Sequence, residues 1–147
     1  MKLTIDPGLS GTGWAYWDRN WKLIRHGVIK PPAKHTWEQK MQFIIQILES
    51  HVYELGLNQA YVEFPSFFQS TGGQVTARSG ALVKLSSLVG AIMFTFSAKP
   101  VRVNEWKGQL PKEIIIKRIK RILPNVKAKS HDWDAIGIGL YLRGDLK

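Results

Sequence analysis

The sequence predicts an α/β domain: a five-stranded mixed sheet, three antiparallel strands followed by parallel ones, flanked by helices. Three observations carry this. Short apolar runs with only short turns between them fill the chain as far as Lys30. After Pro31-Pro32 the apolar spacing changes to threes and fours. Strand-like and helix-like segments then alternate to the end.

Residues 2–6 read as the first strand, with Leu3 and Ile5 on one face. Gly13 to Asp18 is the second and Trp21 to Lys30 the third, an antiparallel meander. Trp37 to Leu55 has helical spacing (Met41, Ile44, Ile45, Leu48, Val52, Leu55), with Thr36 to cap its start and Gly56 to close it. Asn58 to Phe64 is a strand with Ala60 and Val62 inward and Tyr61 and Glu63 opposite. Residues 66–79, rich in Ser, Thr, Gln and Gly, read as a flexible surface loop. Gly80 to Phe96 is a helix apolar over so wide an arc that it suggests a second partner, a subunit interface, against full burial in the monomer. Pro100 to Val103 is a short strand, and Asn104 to Leu110 a connection. Pro111 to Leu123 is a helix, buried along Ile115, Ile119 and Ile122 and basic along Lys117, Arg118, Lys120 and Arg121. Ser130 caps a last helix, His131 to Leu142.

A length of 147 residues fits one domain, spanning 1–147, and 44% apolar content with six tryptophans can fill its core. Cysteine is absent, which excludes disulfides and thiolate metal sites. No stretch reaches the roughly 20 apolar residues of a membrane span. The start has no signal-peptide layout, and a cytoplasmic setting is expected. The net charge of +10, from 21 basic and 11 acidic side chains, points to a polyanion partner, nucleic acid first and an anionic membrane surface second.

Against that cationic background, four acids fall at ends of elements: Asp6, Glu63, Asp132 and Asp134. Asp6 ends the first strand and opens the glycine-rich turn Pro7-Gly8-Leu9-Ser10-Gly11, whose backbone lets a phosphate or ion approach closely. Taken alone, the stretch also reads as a hairpin turn. If the first and fourth strands pair in parallel, Asp6 and Glu63 meet. His131 and Asp134, three apart, share a helical face. Asp132 lies about 200° from Asp134 at roughly 100° per residue, so it is expected to be a first-turn acid favoured by the helix dipole. Gathered carboxylates need a cation between them, and oxygen ligands without thiolate select Mg2+ or Mn2+. Two such ions about 3.5–4 Å apart can serve an in-line phosphoryl displacement.

The motifs Ile5-Asp6-Pro7-Gly8-Leu9-Ser10-Gly11-Thr12-Gly13-Trp14, Val62-Glu63-Phe64 and Ser130-His131-Asp132-Trp133-Asp134-Ala135-Ile136-Gly137 together resemble the RuvC-type Holliday junction resolvases. These belong to the ribonuclease H-like superfamily. The resemblance runs over nearly the whole chain. It implies a ribonuclease H-like fold and a homodimeric, magnesium-dependent endonuclease that nicks branched DNA at symmetric points. It also implies Asp6, Glu63, His131 and Asp134 as the catalytic and metal-binding set, with Phe67 or Phe68 as a wedge. The resemblance also implies a lysine in the segment before the basic helix, for which Lys107 and Lys112 are the candidates. The candidate DNA contacts are thus Phe67, Phe68, Arg78, Lys84, Lys107, Lys112, Lys117 and Arg118. The rebuilt segment from Ser66 to Gly73 and the compact length look like a bacteriophage version, working in a bacterial host's cytoplasm. A DNA-binding module without chemistry, a sugar-kinase-like phosphotransferase and ribonuclease H proper are the competing readings.

Overall fold

The computed structural model describes residues 1–65 and 80–146. Five strands form one sheet: β1 (Lys2–Asp6), β2 (Thr12–Trp17), β3 (Leu23–Ile29), β4 (Gln59–Phe64) and β5 (Lys99–Arg102). Their spatial order is β3-β2-β1-β4-β5. The β1–β2 and β2–β3 pairs are antiparallel, as short turns require, and β1–β4 and β4–β5 are parallel. The helices are α1 (Trp37–Leu55), α2 (Ala81–Phe96), a single turn α3 (Val103–Trp106), α4 (Lys112–Ile122) and α5 (His131–Arg143). The expected mixed sheet flanked by helices is therefore present. None of the described helices is long and apolar enough to cross a membrane.

Strand alternation divides the core in two. Leu3 and Ile5 of β1, Trp14 and Tyr16 of β2, and Ala60 and Val62 of β4 pack against α1 and α2. Ala15 and Trp17 of β2 and Val101 of β5 pack on the other face, against α4 and α5. Asp6 and Glu63 sit at odd steps from the first set, so they share the face covered by α5.

The helix boundaries follow from local chemistry. Thr36 accepts from the Gln39 amide at 3.3 Å and Gln39 Oε1 accepts from the Thr36 amide at 3.0 Å, a reciprocal cap at the start of α1. α4 buries Ile115 and Ile119 completely, worth roughly 1.5–3 kcal/mol per side chain. α2 buries Leu88, Val89, Ile92 and Phe96, but Phe94 and Val83 on its outer side are exposed, Phe94 by 91%.

Two sequence expectations are corrected. The connection after β5 contains α3, because Val103 to Trp106 close one turn that seats Trp106 in the core. Ser130 stands at the start of α5 but its side chain makes no capping bond. Asp132 instead reaches back to the residues before the helix: its Oδ1 accepts from the amides of Lys129 at 2.9 Å and Ser130 at 3.0 Å.

Candidate metal and catalytic site

The site forms where β1, β4 and the first turn of α5 meet. Ile5 pairs with Val62 across the parallel ladder, so Asp6 and Glu63 are the next residues on adjacent strands. α5 is drawn onto the sheet by Thr4, whose hydroxyl donates to the Ala135 carbonyl at 2.7 Å and accepts from Trp17 Nε1 at 2.9 Å. Gly13 makes the close approach possible: a Cβ there would collide with the His131 backbone. Thr12 holds the turn after Asp6, its hydroxyl donating to the Gly8 carbonyl at 2.8 Å.

Asp6, His131 and Asp134 converge, with one ligand atom from each lying within 4.8 Å of the others. His131 Nδ1 is 2.9 Å from Asp6 Oδ2. Asp134 Oδ2 accepts from Lys112 Nζ at 2.8 Å, and Lys107 Nζ lies 3.5 Å from Oδ1. That Oδ1 is buried and accepts no hydrogen bond. Glu63 stands beside the group but turns its Oε2 to Trp106 Nε1, which donates at 2.9 Å. Glu63 is thus on the expected face yet outside the three-donor group. Gly137 leaves the room that the Trp106 ring occupies against α5.

The electrostatics are those of acids forced together. Burial raises the Asp6 carboxyl, and Asp134 raises it further, against the hydrogen bond from His131. Burial and the neighbouring Asp6 push Glu63 up to about 7, although the Trp106 hydrogen bond pulls the other way. The bond to Asp6 raises His131 in turn. A cation among these groups would reverse each of the carboxylate shifts.

The donor set fits a hard cation. It offers carboxylate oxygens and one imidazole nitrogen, no thiolate, and one buried carboxylate oxygen without a hydrogen bond.

Of the expected DNA contacts, Lys107 and Lys112 are at the site. Lys84 lines a cleft of about 500 Å³ with the Pro7–Gly11 turn and His131. Lys117 is exposed on α4 and Arg118 half-buried beside it. Phe67, Phe68 and Arg78 lie outside the described residues.

Asp132, expected to be a plain first-turn acid, is 4% exposed and pairs its Oδ2 with His26 Nδ1 at 3.0 Å. Burial would raise its carboxyl, but the two backbone amides and His26 outweigh this and hold it below the usual range. His26 and Trp106 are the partners that sequence reasoning missed. His26 could have been placed by pairing β3 against β2, where it stands opposite Ala15.

No family model matches the chain. The chain is 29% identical over 152 residues to the crossover junction endodeoxyribonuclease RuvC of Rickettsia felis, covering 92% of both chains. The similarity to this RuvC relative thus runs along nearly the whole chain. Among solved structures, RuvC of Thermus thermophilus in complex with a Holliday junction substrate has a TM-score of 0.67 at 18% identity, with 99% of this chain and 97% of that one covered. The Fowlpox virus resolvase in complex with Holliday junction DNA has a TM-score of 0.53 at 12% identity, covering 99% of this chain and all of that one. At such identities the structural neighbours establish the fold, and the RuvC-type arrangement of sheet and helices is that of this protein.

Proposed function

We propose that this chain is a metal-dependent, structure-selective DNA endonuclease of the crossover junction type, hydrolysing phosphodiesters by paired nicks in branched DNA. The observation that carries the reading is the Asp6–His131–Asp134 group, three ligand atoms within 4.8 Å of one another on a chain of net charge +10. The similarity to a crossover junction endodeoxyribonuclease along 92% of the chain supports the same substrate class.

Asp6, His131 and Asp134 would hold a divalent ion, with Glu63 beside them as the added carboxylate for a second. When bound, Mg2+ or Mn2+ neutralises charge on the attacking and leaving oxygens of the phosphoryl transfer. The chain's own residues do the rest. Lys107 and Lys112, paired with Asp134 in the free protein, are placed to meet phosphate oxygens at the same spot. The backbone of the Pro7–Gly11 turn and Lys84 form one wall of the cleft a DNA strand would cross. Lys117 and Arg118 extend the cationic surface, and Phe67, Phe68 and Arg78 complete the proposed contacts. A homodimer through the outer side of α2, where Phe94 and Val83 are exposed, would set two such centres by two-fold symmetry.

The test is incubation of the protein with labelled four-way junction, linear duplex and RNA–DNA hybrid in Mg2+, Mn2+ or chelator. Junction cleavage that needs the ion, and that Asp6→Asn abolishes without weakening binding, is the expected result. Binding without cleavage would reduce the protein to a DNA-binding module, and cleavage of the hybrid alone would make it a ribonuclease H.

A further inference from the structure

A second cavity, about 400 Å³, opens between the end of β3 and the loop that leads into α5. His131 faces Asp6, whereas its neighbour Asp132 lines this cavity with His26, Lys30, Lys127, Lys129 and Ser130. Three lysines and one carboxylate therefore line the same cavity. That carboxylate is already committed, Oδ1 to two backbone amides and Oδ2 to His26. Among the described residues Lys30, Lys127 and Lys129 form no ion pair with any carboxylate. The Ser130 hydroxyl, at a helix start, does not cap it.

The contrast with the other lysines of this region is informative. Lys107 and Lys112 both pair with Asp134, and Lys120 lies over the Trp133 ring. At this cavity three lysines without an ion pair outnumber one committed carboxylate, and an anion entering among them would offset their repulsion. Ammonium groups are point charges that suit a phosphate, and a hydroxyl adds a directional donor.

We propose that this cavity binds one backbone phosphodiester of the DNA strand to the β3 side of the metal site. Lys30, Lys127, Lys129 and the Ser130 hydroxyl would be its donors. The DNA source of the phosphate rests on the nuclease reading; the affinity of the cavity for a phosphodiester does not. A strand crossing the centre would then be held on both sides, by Lys107 and Lys112 toward β5 and by this group toward β3.

The experiment measures affinity of the full chain for a fluorescent four-way junction in chelator as salt is varied. Lys30→Ala, Lys127→Ala and Lys129→Ala are compared singly and together, with the exposed Lys99→Ala as control and melting curves to verify folding. One shared phosphate predicts that the triple variant lowers the salt slope by about 1, with sub-additive singles and roughly threefold to tenfold weaker binding at fixed salt. An additive loss of about 3 would mean separate surface contacts and would overturn the cavity assignment, as would an unchanged slope. In parallel, amide resonances of Lys129 and Ser130 are followed by NMR during titration with dimethyl phosphate and with inorganic phosphate. Saturable shifts with dimethyl phosphate, lost in the triple variant, are expected. Shifts with inorganic phosphate alone would overturn the assignment in favour of a free-phosphate site. If the wild type ignores branched DNA yet keeps the dimethyl phosphate shifts, the nuclease reading falls and the phosphodiester site stands.

Discussion

Asp132 and Asp134 sit two residues apart on the same turn, both buried, and their surroundings are opposite. Asp132 has both oxygens filled by protein donors: two amides and a histidine. Asp134 leaves one buried oxygen without a hydrogen bond and lies against Asp6 and His131. A carboxylate whose acceptors are all satisfied by the protein serves the fold. One left short, among other acids, is prepared for a ligand the protein does not itself supply. Burial alone does not separate the two cases; the count of donors does.

The sharpest way to break the comparison is to remove charge on each side. Asp6→Asn and Asp134→Asn should each lower junction cleavage by about 10²- to 10⁴-fold while junction affinity in chelator stays within about threefold. Asp132→Ala should act on stability: opening a buried pair costs about 3 kcal/mol, or roughly 6–12 °C in melting temperature for a chain this size. Cleavage lost in Asp132→Ala with melting unchanged would place Asp132 in the chemistry and end the distinction.

The pH dependence should also differ in sign between the two groups. Glu63 is pushed from 4.5 to about 7 and His131 is raised above 6.5, so both favour the protonated folded chain. Stability of the metal-free protein from these groups should be full below about pH 4.5 and lost as pH rises through about 7. Asp132 is held low, so its contribution should be present above about pH 4 and lost only on further acidification. Melting curves from about pH 3 to 8 check this: added Mg2+ should flatten the alkaline fall, and Asp132→Asn should remove part of the acid fall. The smallest effect is expected at Trp106. Trp106→Phe removes the bond that favours the Glu63 carboxylate, costs about 1 kcal/mol, and should move the acid limb of the cleavage profile upward by less than about one unit.

Much of this was legible in the chain. The bounds of α1 could be read because Thr36 and Gly56 mark its ends chemically. The parallel β1–β4 pair, and with it the meeting of Asp6 and Glu63, followed from element order. That His131 and Asp134 share a face followed from their spacing; that this face meets Asp6 depended on how α5 docks on the sheet. What was not legible depends on contacts rather than pattern. Four residues of α3 are too few to show a period, so Trp106 and its bond to Glu63 were invisible. Serine at a helix start usually caps it, but here Asp132 reaches back to the preceding amides instead. Finding His26 required the register of β3 on β2, which shifts between Tyr16 and Trp17.

The ladder that sets Ile5 beside Val62 has a consequence for how this protein tolerates change. Two of its acids are aligned by backbone hydrogen bonds, so the length of whatever joins the strands is free to vary. A single residue inserted inside β1 or β4 is another matter. It would turn Glu63 or Asp6 to the α1 side of the sheet and bring an apolar neighbour into its place, disarming the molecule while leaving its fold recognisable.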